Sequence, residues 1–130
     1  MARKQSAQQE FAFMLPKGLV DTKGRLNRSG IMRLATARDE IEIFQDRQVQ
    51  SNPAYEVLIR LSRVINRLGS LSNVSPQQLE DLPILDLAYL REFYNRINQH
   101  QDPHIAVACP HCQTQFRVEM ALAGESGATP

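Results

Sequence analysis

Tryptophan is absent from this 130-residue chain, and phenylalanine and tyrosine together make up only 6% of it. A core without large rings must be filled by leucine, isoleucine and valine. Cysteine is nearly as scarce. Cys109 and Cys112 lie too close in sequence to staple a fold, and in a reducing compartment such a pair is more often a metal or redox motif. An excess of one charge is missing too. Lys plus Arg number 15 against 14 Asp plus Glu, so no net field gathers the chain onto phosphate or an anionic bilayer, and nucleic acid is a poor partner. No stretch approaches the roughly 18 consecutive apolar residues that span a bilayer. The start "MARKQSAQQE" is charged and then polar, with no apolar run behind it, so no secretory signal is expected and the chain reads as cytoplasmic.

What is present is the composition of one ordinary globular domain, 42% apolar and 22% charged. A chain of this length buries roughly two-thirds of its unfolded surface and supports one core. After a flexible leader over 1–10, "FAFMLPKGLV" (11–20) reads as a strand. The Asp-Thr-Lys-Gly that follows reads as a hairpin turn, because Asp and Gly tolerate its backbone angles. "SGIMRLATARDEIEIF" (29–44) carries Ile31, Leu34, Ala35 and Ile41 near helical spacing, with Ser29 as cap. The clearest helix runs from Pro53 to Leu68, with Asn52 as cap and Gly69 at its end. Ala54, Val57, Leu58, Leu61, Val64, Ile65 and Leu68 form its apolar stripe.

Ser75, Pro76 and Gln78 make a capping box for a short helix that ends near Pro83. A last helix begins about Asp86, with Leu87, Leu90, Phe93, Tyr94 and Ile97 on one face. Helical body and N-terminal hairpin together cover 11–100. A CxxC hairpin covers 101–120, and the residues from 121 to 130 read as a disordered tail. The expected class is therefore mainly α with small β elements: a compact helical domain with an N-terminal hairpin and a C-terminal zinc-ribbon-like hairpin. On the main helix Arg60, Arg63 and Arg67 share a face, a ridge for a partner or a solvated stripe in which Glu56 pairs with Arg60. Tyr89 and Tyr94 read as interface anchors or as core.

"AVACPHCQTQF" (106–116) admits three readings. As a disulfide-exchange site it lacks the scaffold, since a strand pattern follows Cys112 where a thioredoxin-type fold needs a long helix. As half of a zinc ribbon it supplies the thiolates of Cys109 and Cys112 but no second CxxC, so His104, His100 or a second chain must complete the four ligands. As a plain hairpin it holds two unliganded thiols. Zinc is the one cofactor these residues suggest, and no other catalytic set competes with them.

In order, "FMLPKGLVDTKGRLNRSGIMRLATARDEI", "NPAYEVLIRLSRVINRLG", "LEDLPILDLAYLREFYNRIN" and "ACPHC" resemble a family of small phage-tail assembly proteins. These are similar to baseplate-hub assembly proteins of contractile-tailed phages, and occur beside sheath and tube genes in phage-like contractile injection systems. The likeness covers residues 11–120 and rests on the Leu-Pro-x-Gly start, the Met-Arg-Leu-Ala-Thr-Ala segment and the Leu-x-x-x-Asp-x-x-Tyr-Leu helix. Where the family often reads CPxCG, Gln113 stands in place of Gly. The resemblance implies a non-enzymatic assembly factor, or chaperone, that binds other tail or baseplate proteins such as the tape-measure or hub components. Two alternatives are a permanent baseplate or tail subunit and a zinc-binding adaptor, with self-association through pooled cysteines. A chain of this kind should not exchange disulfides: its rate of insulin reduction should equal that of a Cys109→Ser, Cys112→Ser double variant.

Overall fold

The computed structural model describes residues 9–100 and 104–119. The expected tail, and the leader apart from Gln9 and Glu10, lie outside the described residues. The first apolar stretch forms strand β1 (Glu10–Val20) and returns as β2 (Leu26–Arg33). The two are antiparallel, with Phe13 opposite Gly30 and Val20 opposite Leu26. At the turn the Gly24 N–H reaches the Asp21 carbonyl at 3.0 Å, and the Asp21 carboxylate accepts from the backbones of Lys23 and Arg25. This is the hairpin that the Asp-Thr-Lys-Gly stretch predicts.

The mainly helical expectation is wrong, because the hairpin is two-thirds of a larger sheet. Residues 29–33 belong to β2, and the helix placed there begins only at α1 (Ala37–Gln45). Its cap is Thr36 rather than Ser29: the Asp39 N–H donates to the Thr36 hydroxyl at 3.3 Å, and the Asp39 carboxylate accepts from the Thr36 N–H at 2.8 Å. A short α2 (Arg47–Ser51) and a 3-10 turn over Pro53–Tyr55 lead into α3 (Glu56–Val64). Asn52 caps that entry as expected, accepting from the Ala54 N–H at 3.2 Å.

The main helix does not reach Leu68. After Val64 the chain extends into β3 (Ile65–Leu68), antiparallel to β2, with Ile65 opposite Met32 and Leu68 opposite Gly30. The sheet order is β1-β2-β3. β2 would otherwise leave a row of unpaired backbone groups beside the core, and the β-branched Val64-Ile65 pair gives up helix at little cost. Gly69 closes a tight turn instead of a helix. At φ 59° it lets Leu68 and Leu71 exchange backbone hydrogen bonds of 2.9 Å. Leu61, Val64, Ile65 and Leu68 are buried nonetheless.

The Ser75 capping box starts α4 (Pro76–Leu79), and α5 (Ile84–His100) follows. Strands β4 (His104–Ala108) and β5 (Gln115–Glu119) make a separate two-stranded sheet. Helices cover one face of the three-stranded sheet, which makes a two-layer α+β domain. Phe13, Leu15, Met32, Ile65 and Leu68 from the sheet meet Leu61, Val64, Leu79, Leu90, Phe93 and Ile97 from the helices. Ile43, Val49 and Ile59 form a small second cluster under Tyr55.

One irregularity ties the layers together. The β1–β2 register shifts between Met14 and Leu19. There Gly18 takes φ 101°, and a Cβ on it would come within 2.6 Å of the Arg28 side chain. The bulge turns two N–H groups away from β2. Both are taken by Asp86, whose carboxyl oxygens accept from Lys17 at 3.1 Å and Gly18 at 2.6 Å. One turn along α5, the Tyr89 hydroxyl accepts from the Met14 N–H at 3.2 Å. Below it Phe93 meets Phe13 edge to face, with ring centroids 5.6 Å apart. Asp86→Ala removes both acceptors and leaves buried donors unpaired, so it should cost about 2–4 kcal/mol in urea unfolding. Asp86→Asn, which keeps one acceptor, should cost less.

Candidate functional site

The densest polar constellation gathers around Asp39, at the start of α1. Asp39 is buried, and Arg33 from the end of β2 grips it with two guanidinium nitrogens at 2.8 and 3.0 Å. Arg63 of α3 donates to it at 3.0 Å and also pairs with Glu42. Burial alone would push the Asp39 carboxyl up. The Arg33 guanidinium, the Thr36 N–H and Arg63 outweigh it and hold the group well below the usual carboxylate range. Arg33 also reaches the Leu34 and Arg63 carbonyls, both at 2.9 Å, so a single side chain joins strand, loop and helix.

Arg60, one turn earlier on α3, pairs with both Glu56 and Glu40. It lies 5.8 Å from the centroid of the Tyr94 ring and donates to the Tyr94 hydroxyl at 3.3 Å. Burial disfavours its charge, yet Glu40, Glu56 and Tyr94 raise its pKa above the ordinary arginine value. These residues, with Arg91, line a cleft of about 360 Å³ between α1, α3 and α5.

The expected arginine ridge is therefore divided. Arg60 and Arg63 are held by acids of α1 and α3, whereas Arg67 falls in β3, exposed and opposite Ile31. The cause is the end of the helix at Val64, which breaks the spacing that would have aligned Arg67 with the other two. The two tyrosines are half-buried, Tyr94 over Arg60 and Tyr89 stacked on Phe93 beneath β1.

Cys109 and Cys112 come together in the turn between β4 and β5. The Cys109 N–H donates to the Thr114 carbonyl at 2.8 Å, and the Gln113 N–H to the Cys109 carbonyl at 2.9 Å. The Cys112 thiol lies 3.0 Å from the Thr114 hydroxyl. That hydroxyl first, then the Thr114 N–H and the Cys109 thiol, draw Cys112 below its ordinary pKa. Among the described residues no cluster of three or more His, Cys, Asp or Glu gathers as a metal site. His104 opens β4 opposite Glu119, but its side chain, like that of His100, lies outside the described residues.

Large apolar side chains also reach the surface. Ile41 and Phe44, three positions apart on α1, share an outward face, with Phe44 64% exposed. At the tip of the β1–β2 hairpin, Val20 and Leu26 are exposed cross-strand neighbours. Ile84, 80% exposed, and Leu85 lie at the same end of the domain, since Asp86 binds Gly18 and the Leu26 side chain flanks Gly18. No described helix is long and apolar enough to cross a membrane.

Against protein-family models, curated proteins and solved structures the chain has no match.

Sequence reasoning missed Asp39, Arg33 and Asp86. The Thr-x-x-Asp box at 36–39 carried the signal for Asp39, as did the analogous box at 75–78 for its helix. Nothing local marks Asp86, whose partner Gly18 lies 68 positions away, or the bond of Arg33 to the Arg63 carbonyl 30 positions on. Because the folded state depresses the Asp39 pKa, its contribution is full above the unfolded value of 3.8 and is lost as pH falls below it. Stability measured by urea unfolding should drop as pH is lowered through that window. The drop should be shallower in Asp39→Asn, which should also be less stable at neutral pH.

Proposed function

We propose that this chain is a non-enzymatic assembly factor for a phage-tail-like contractile system, holding a tape-measure or baseplate-hub component before it is incorporated. The support is the resemblance over residues 11–120 together with one structural observation. Val20 and Leu26 at the hairpin tip, and Ile84 and Leu85 in the turn of α5 that carries Asp86, are exposed aliphatic side chains at the same end of the domain.

Such a patch suits the apolar face of an amphipathic helix, the form in which a long helical client offers itself. Asp86, next in sequence to Leu85, is bonded to the bulge of β1, which fixes the start of α5 to the sheet.

Co-expression with tape-measure and hub proteins tests the reading. A Leu26→Glu, Ile84→Glu double variant should keep the wild-type melting temperature while losing at least tenfold of the captured client. Capture that is unaffected by the double variant would remove the patch from the reading. Mass spectrometry of purified particles should find the chain far below stoichiometric amounts; a stoichiometric presence would make it a permanent tail subunit instead.

A further inference from the structure

Among the described residues one buried side-chain nitrogen has no hydrogen-bond partner, Nη2 of Arg28. The side chain is half-buried on β2 and donates from Nε to the Leu15 carbonyl at 2.9 Å. A guanidinium donor shut from solvent and left open is costly. The domain fills such positions elsewhere, since Arg33, Arg60 and Arg63 all hold carboxylates. Arg28 is paired with no acid of the described residues.

Gly18 defines its place. A Cβ there would come within 2.6 Å of the Arg28 stem and 2.8 Å of the Leu26 side chain, and the Gly18 N–H is held by Asp86, next in sequence to Leu85. Arg28 thus lies beside the exposed Leu26, over the bulge to which the start of α5 is bonded.

We propose that Arg28 is the polar anchor of this docking face and takes a carboxylate of the client, so that the client segment is an acidic amphipathic helix. This rests on the docking reading above and narrows it to a class of partner. The neighbouring charges favour the same class. Lys17 in the bulge and Lys23 in the hairpin turn are exposed and make no ion pair. The acids beside them are engaged: Asp21 with Arg25 and two backbone N–H groups, Asp86 with the N–H groups of Lys17 and Gly18. Asp81, in the recess by Val20, is the acid left open. Aliphatic side chains among unpaired cations suit a helix whose apolar stripe is flanked by Glu or Asp, and a guanidinium binds such a carboxylate through paired hydrogen bonds.

Affinity is measured by calorimetry between the full-length chain and the tape-measure protein used in co-expression, at low and high salt. Arg28→Met keeps the stem and removes the donors; it should weaken binding roughly tenfold or more and flatten the salt dependence, with a melting temperature near that of wild type. Arg28→Lys should restore only part of the affinity, because an ammonium lacks the paired donors. Glu→Gln and Asp→Asn changes beside the client's apolar stripe should weaken binding to wild type and add nothing to the loss in Arg28→Met. Equal affinity of Arg28→Met and wild type would overturn the anchor, and a lowered melting temperature with it would mark Arg28 as a packing residue whose open nitrogen is filled by water. If Arg28→Met does not fold, the client variants decide: wild-type affinity unchanged by the amides would overturn the anchor as well. No binding by the wild-type chain would instead overturn the docking reading itself.

Discussion

The domain depends on the way α5 completes β1. A bulge frees the Lys17 and Gly18 N–H groups from the sheet, and buried polar groups of this kind need partners. Asp86 provides them from the first turn of the helix, and Tyr89 extends the seam to Met14. The same helical face then delivers Leu90, Phe93 and Ile97 to the core. Helix position and sheet edge are thus fixed together, and the long edge strand is shielded over part of its length from pairing with another chain.

A second constraint acts at the opposite end of the sheet. Asp39 draws Arg33 and Arg63 onto one carboxylate, which joins β2, α1 and α3. An ion pair taken partly from water contributes little unless its remaining hydrogen-bonding groups are satisfied. Here Thr36 and the Leu34 and Arg63 carbonyls satisfy them. The Leu-Pro-x-Gly and Met-Arg-Leu-Ala-Thr-Ala stretches that carry the resemblance coincide with these two sites, the bulge and the Arg33–Thr36 corner. The Asp and Tyr of the third motif are Asp86 and Tyr89. The motifs therefore read as the joints of a fold, and functional specificity has to come from the surfaces between them.

Two such surfaces differ in construction. The apolar end around Leu26 and Ile84, the proposed docking face, is mounted on the clamped body. The cysteine hairpin consists of two short strands paired with each other, and its turn holds a left-handed glutamine.

The sequence by itself determined the elements whose signals are local. The Asp21 turn, the Asn52 and Ser75 caps, the apolar face of α5 and the hairpin around Cys109 and Cys112 all follow from residue chemistry within a few positions. It also marked Leu61, Val64, Ile65 and Leu68 as core, because the spacing of that stripe serves a helix and a buried strand edge alike. Only the tertiary structure decided where the helix stops. A strand at Ile65–Leu68 forms because β2, more than thirty positions earlier at Gly30, offers backbone partners that no local propensity encodes. The same long-range pairing turned residues 29–33 from helix to strand, took Arg67 out of line with Arg60, and gave Asp86 its role, since a carboxyl group in a first helical turn is ordinary until a bulge from the other end of the chain arrives beneath it.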